Sequence, residues 1–172
     1  MERFPLKRIA IPILAVVLIF AFGVMNSINA EKINIKLSDT RYWIGTKMEA
    51  IKVDDTEGHI IQITESKGVD VSGRRLAVTR NTWDLVKGTG TMIGYTTIME
   101  PDGRATRFLK QEGKVTTILS PEGKPIMTGE GTFSMVGGTG EWQGATGGGI
   151  WKMRMIGDGI FVMDWQGEFV KP

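Results

Sequence analysis

One histidine, His59, and no cysteine are all that this chain of 172 residues offers in imidazole and thiol chemistry. A zinc-type centre needs several such ligands clustered, so His59 completes no ligand set and no metal is expected. Without cysteine, disulfides, thiolate clusters and a lipidated thiol are excluded as well. His59 follows Gly58 and reads as a turn or strand-start residue, while Asp54, Asp55 and Glu57 just before it read as turn chemistry. A Ser-His-Asp triad would have to recruit His59, yet no Gly-x-Ser-x-Gly elbow occurs. Glu141 and Asp164 could serve as acid or base, although a lone carboxylate is usually a solvated charge. The glycine-rich run from Gly137 to Gly149 has neither dinucleotide spacing nor a Lys-Ser/Thr ending. No catalytic residue is assigned and no cofactor is expected.

The chain's beginning carries an address. Arg3, Lys7 and Arg8 precede an apolar run from Ile9 to Met25 and the polar stretch Asn26-Ser27-Ile28-Asn29-Ala30, the layout of a secretory signal. Residues 1–30 are therefore expected to be a signal peptide cleaved after Ala30, which would make the protein periplasmic or secreted. The alternative is an uncleaved anchor through residues 9–25, the only membrane contact expected. Residues 1–30 hold three basic residues and one acidic one, so the remaining 142 carry 18 of each. A neutral mature chain with no basic tract gives nucleic acid nothing to bind.

The elements that would position any site are strands. Beyond Glu31 no stretch repeats with helical period, and short runs of Thr, Val, Ile and aromatics alternate with Gly, Pro and Asp. Residues 31–172 are expected to form one all-β domain. Pro101-Asp102-Gly103, Pro121-Glu122-Gly123 and Gly157-Asp158-Gly159 each suit a three-residue hairpin loop ending in a left-handed glycine. These loops pair Glu100 with Arg104, Ser120 with Lys124 and Ile156 with Ile160. The resulting registers set Lys114 opposite Glu130 and Lys152 opposite Asp164, opposite charges that mark register. A turn near Gly88-Thr89-Gly90 and strands near 46–54, 59–66 and 69–79 bring the count to about eight, which closes into a small antiparallel barrel. Ile33–Ser38 would be an added edge strand or a clasp.

In that register Phe108, Lys110, Glu112, Lys114, Thr116 and Glu130 face outward, too charged for a lipid-facing band. Ile93, Tyr95, Leu109, Val115, Phe133 and Met135 face inward, with Asn81, Trp83 and Leu85 from the preceding strand. The interior then mixes polar and aromatic groups: Asn81, Trp83, Tyr95, Arg107, Gln111, Phe133, Trp151 and Trp165 become the candidate cavity lining. A buried Arg107 needs an internal carboxylate, water, a place at the mouth or an anionic ligand. Met153 and Met155 facing Met163 make an apolar wall of soft thioethers.

The run Gly137-Gly138-Thr139-Gly140-Glu141-Trp142-Gln143-Gly144-Ala145-Thr146-Gly147-Gly148-Gly149 resembles the signature of the allene oxide cyclase barrel group, which includes the dirigent proteins. There a strand ends in Gly-Gly-Thr/Ser-Gly, an aromatic follows two residues on, and Gly-Ala/Val-x-Gly opens the next strand. Gly137, Gly138, Gly140, Gly144 and Gly147 are the structural glycines of that match, which covers roughly the half from Gly88 onward. The resemblance implies an eight-stranded barrel, calycin-like in form, that often forms homo-oligomers and has a central cavity. In the characterised members that cavity shapes a reactive lipophilic or phenolic intermediate by confinement. The expected function is binding of a small lipophilic molecule in the cavity, with Arg107 as the anchor if that molecule is anionic. The alternatives are a cyclase, isomerase or dirigent-like enzyme using the same cavity, and a structural, oligomerising barrel with a filled core.

Overall fold

The computed structural model describes Lys32–Pro172; the signal or anchor expected over residues 1–30 lies outside the described residues. Eight antiparallel strands, each hydrogen-bonded to the next in chain order, form one sheet whose last strand pairs with its first. They are β1 (Ile33–Lys52), β2 (His59–Asp70), β3 (Leu76–Val86), β4 (Thr89–Met99), β5 (Thr106–Leu119), β6 (Pro125–Thr139), β7 (Thr146–Gly157) and β8 (Ile160–Lys171). Closure removes every free edge from an all-antiparallel sheet of this size. The loops β1–β2, β3–β4, β5–β6 and β7–β8 gather at one end of the barrel, the open end. The other three loops, the start of β1 and the end of β8 gather at the closed end.

Closure depends on β1. Its first half, Ile33–Ile44, pairs with β8, and its second half, Arg41–Lys52, pairs with β2. The segments expected as a clasp at Ile33–Ser38 and a separate strand at 46–54 are thus one strand of 20 residues. Its first part alternates in the ordinary way, with Ile35 and Leu37 packed on the core, but further on Arg41 is 1% exposed, whereas Tyr42 and Ile44 are 45% and 57% exposed. A charged residue inside and apolar ones outside defeat any reading by hydrophobic alternation. The strand expected over 69–79 is broken for a related reason, because Val71–Arg75 form a loop whose chain is tied to buried Asp70.

The Ser120–Lys124 hairpin has the expected register, with Lys114 opposite Glu130 and Leu109 opposite Met135, and a bulge follows at Phe108. The last hairpin likewise sets Trp151 opposite Trp165 and Lys152 opposite Asp164, then slips through a bulge so that Gly157 rather than Ile156 faces Ile160. The loop after β4 differs. Glu100 bonds to Ala105, not Arg104, so four residues span the turn and β4 shifts by one against β5. The β3–β4 turn also lies earlier than expected, at Lys87-Gly88, with Val86 facing Thr89. Ile93 and Tyr95 therefore stand outside, 43% and 58% exposed, and Gly94 and Thr96 stand inside. The inner face of β3 has the expected phase: Asn81, Trp83 and Leu85 are buried.

Tryptophans fill the lower barrel by lying where neighbouring glycines have no side chain. Trp151 is 1% exposed, and a Cβ added to Gly113 or Gly131 would stand 2.5 or 2.7 Å from its Cζ2. The same Cβ at Gly131 would also stand 2.0 Å from the Glu112 carbonyl oxygen. Trp151 donates its indole N–H to the Thr132 carbonyl at 3.0 Å. Phe133 meets Trp165 edge to face at 4.8 Å, within the range in which such pairs add to plain burial.

The β5–β6 ladder outruns its neighbours at the open end. The β5–β6 pairing continues to Leu119 and Pro125, although β4 last pairs with β5 at Val115 and β7 last pairs with β6 at Thr128. The ribbon so formed carries exposed Ile118, Leu119 and Ile126.

Gly131→Ala is expected to lower unfolding free energy by about 1–3 kcal/mol through overpacking against fixed backbone and Trp151. Gly157→Ala, whose new Cβ meets nothing closer than 3.6 Å, should change it by less than about 0.5 kcal/mol. Urea titration of both variants checks the pair.

Candidate functional site

The upper half of the barrel is hollow. A cavity of about 520 Å³ opens at the end where the β1–β2, β5–β6 and β7–β8 hairpins meet. That volume suits one small organic molecule. Its walls are apolar and pliant: Trp43 and Trp83 on one side, Phe161 near the rim, and Met92, Met153 and Met163 deeper in. A short polar strip crosses the wall from β2 and β3 to β5. There Gln111 Nε2 donates to Asn81 Oδ1 at 2.8 Å and Thr79 Oγ1 at 3.0 Å, and Thr96 donates to Thr79 at 3.0 Å. Trp83 Nε1 donates to Thr64 Oγ1 at 2.8 Å. Of the side chains that line the cavity, only Lys47 is charged.

Gln111 and Asn81 meet because Gly94 leaves room: a Cβ there would lie 1.9 Å from Asn81 Oδ1. The shift of β4 thus has a packing consequence. With Tyr95 turned outward, a glycine and a threonine face the amides; Gln111 Nε2 is satisfied by Asn81 and Thr79, while its buried Oε1 has no protein partner.

The closed end is sealed by charge. Glu100, 8% exposed, receives Arg107 at 2.8 Å on one carboxylate oxygen and Arg75 at 2.9 Å on the other. Arg75 also reaches Asp70 at 3.5 Å, and Arg41 pairs with Asp39 at 2.7 Å. Three guanidinium groups and three carboxylates balance without a further ion. Burial pushes the Arg107 guanidinium below the usual arginine range, with Glu100 opposing the shift. Burial pushes the Asp70 carboxyl up, but the Arg75 N–H, the Ser72 hydroxyl and the Arg74 N–H outweigh it and hold the group below its ordinary value. Arg75 is raised by its bond to Glu100.

The glycine-rich run builds the stopper over this cluster. After β6 the chain makes one 3₁₀ turn, Gly140–Trp142, which directs Trp142 inward. Gly140 takes φ 59°, and a Cβ there would lie 2.7 Å from the Arg104 carbonyl. Trp142 packs edge-on against Phe169 at 5.6 Å and is capped by Arg107 at 4.7 Å and Lys171 at 4.1 Å from its ring centre. Gly138 and Gly147 would each collide with backbone if substituted, whereas Gly137 meets only Phe108 at an ordinary 3.5 Å.

The structure divides the residues expected to line one cavity. Asn81, Trp83 and Gln111 stand on its wall. Phe133, Trp151 and Trp165 face inward but pack the filled half beneath it. Arg107 belongs to the closed end, where Glu100 supplies the internal carboxylate its burial demands, so it is not an anchor in the cavity. Tyr95 is on the outer surface because of the one-residue longer loop. Glu141 and Asp164 are engaged outside the cavity, Glu141 with Lys171 at 2.5 Å and Asp164 with Thr40 at 2.6 Å and Arg154 at 3.3 Å. Trp43 was hidden from sequence reading because it stands between exposed Tyr42 and Ile44 and beside buried Arg41. It lies flat on Gly68, where a Cβ would stand 2.6 Å from its ring, and that Gly-for-Trp pairing is the one signal that could have found it.

His59 opens β2 as expected and has two partners at the open end. Nδ1 lies 2.6 Å from Asp55 and Nε2 lies 2.8 Å from Asp84. Both nitrogens can donate only in the imidazolium form. The bonds to Asp55 and then Asp84 raise the His59 pKa, and the Asp55 carboxyl is lowered in return.

Two outcomes follow. Arg107→Ala should destabilise the barrel by about 3 kcal/mol, the low end for breaking a buried pair because Arg75 keeps its hold on Glu100; chemical denaturation reads it. His59, as the chain's one histidine, gives a single imidazole titration. Its clamp is fully present below the unfolded value of about 6.5 and is lost as pH rises through the raised folded value. Hydrogen exchange of the loop between Val53 and Gly58 should accelerate across that interval beyond the intrinsic pH effect, and His59→Phe should remove the excess.

No protein-family model matches the chain, and no curated protein matches it. Among solved structures the chain is similar to a pterocarpan synthase dirigent protein, at 13% sequence identity over 82% of this chain and 89% of that one, with a TM-score of 0.48.

Proposed function

We propose that this protein is an exported binding barrel that takes one small, uncharged lipophilic molecule into the open half of its interior. The observation that carries this reading is the cavity itself: about 520 Å³ of space walled largely by methionine and tryptophan, with a hydrogen-bonded strip of Thr79, Asn81 and Gln111 across one side. An eight-stranded barrel is just wide enough to be filled by side chains or to hold one ligand. Here large aromatics fill the lower half and leave the upper half empty. The anionic ligand expected from sequence loses its support, because Arg107 is neutralised by Glu100 away from the cavity. Unbranched methionines adapt their shape, which favours a family of related lipophiles over one rigid compound.

A cyclase or isomerase acting by acid–base chemistry finds little in these walls. Lys47 at the rim is the one titratable group of the lining, so any turnover would have to come from confinement. A wholly structural barrel does not account for the hollow half.

The test is a binding titration of an uncharged apolar fluorophore against the purified chain, beside mass spectrometry of its organic extract. Stoichiometric binding is expected, weakened more than about tenfold by Met155→Trp, which fills a rim position, and weaker for a carboxylated analogue of equal size. Absence of saturable binding across a panel of uncharged lipophiles, with the fold intact by circular dichroism, would sink the proposal.

A further inference from the structure

Six of the eight methionines among the described residues line the cavity: Met48, Met92, Met127, Met153, Met155 and Met163. Four of them form a contiguous patch on three adjoining strands. Met153 on β7 stands directly opposite Met163 on β8. The β6–β7 ladder ends with Thr128 opposite Arg154, and Met127 and Met155 are the next residue on each strand beyond it. Directly opposed residues have Cβ atoms about 4.5–5.5 Å apart, and three rotatable bonds let each sulfur reach well beyond that. Gly129 keeps this corner open, since its missing Cβ would stand 3.3 Å from the Met153 methyl. Met153 and Met163 are 6% and 5% exposed.

The donors absent from this lining are as informative as those present. It holds no imidazole, thiolate or carboxylate, the ligands that zinc, iron, calcium and magnesium require. Thioethers alone bind soft ions, and among biological metals they select monovalent copper. Trp43 and Trp83 line the same cavity, and an indole ring attracts a desolvated cation that reaches its face.

We propose that the Met127, Met153, Met155 and Met163 patch is a thioether site for a soft monovalent d¹⁰ cation, Cu(I), with Ag(I) as its redox-inert counterpart. The site shares the cavity with the proposed lipophile but does not depend on it, because the cation needs no organic occupant to be held by sulfur.

Titration of the full chain with silver nitrate in chloride-free buffer, without any lipophile, tests this by native mass spectrometry and by ¹³C-methyl methionine spectra. One Ag(I) retained per chain is expected, with shifts concentrated on the four patch methyls. Met153→Leu/Met163→Leu should weaken retention at least tenfold, and Met99→Leu, on the outer face, should leave it unchanged. Apolar fluorophore binding by the double variant reports that the cavity is intact. Should that variant fail to fold, the methyl spectra of the wild type decide alone. Failure of the wild type to retain silver, or shifts confined to methionines outside the patch, overturns the proposal. If fluorophore binding persists in either case, the methionines serve solely as an apolar wall and the lipophile reading stands.

Discussion

Everything else in this barrel depends on Glu100 being held between two arginines. The carboxylate ties the loop after β4 to Arg75 in the loop after β2 and to Arg107 on β5, so three separate pieces of chain converge on one buried group. A charge taken out of water is tolerated only with such partners. Sealed at this end by ions and by Trp142, the barrel has one route inward, and whatever space its side chains leave must open at the opposite end.

Given that seal, the distribution of bulk follows from glycine. An eight-stranded ring has an almost fixed interior, and an indole fits flat across it only where facing strands carry no side chain. Gly113 and Gly131 make that place for Trp151, and Gly68 makes it for Trp43. Three strands therefore trade their own side chains for a neighbour's ring. Where the glycines give way to methionine at Met127, Met153 and Met163, the filling stops and the cavity begins.

Much of this was legible in the sequence and some was not, for reasons particular residues make plain. The all-β class, the strand count and two hairpin registers could be read because Pro-x-Gly turns and paired charges such as Lys114 and Glu130 act locally. Asn81, Trp83 and Gln111 could be placed inside for the same reason. The fate of Tyr95 turned on one residue of loop length, which inverts an entire strand and which composition does not encode. Arg107 was rightly read as buried, but its partner Glu100 lay in what looked like an ordinary turn. The middle of β1 was unreadable by periodicity, since Arg41 inside and Ile44 outside reverse the rule that periodicity assumes.

The β5–β6 ribbon that outruns its neighbours has a consequence for timing. Past Val115 and Thr128 each of its two strands has a single partner, so the ribbon can part from the rim by breaking few backbone hydrogen bonds. The sealed end has no such freedom, because moving it would separate buried charges. Opening of the mouth is thereby uncoupled from unfolding of the barrel, as local fluctuations are from global ones wherever contacts are sparse. A guest's residence time would then be set by a two-stranded flap, and changes in the ribbon could tune exchange over a wide range while the melting temperature stays still.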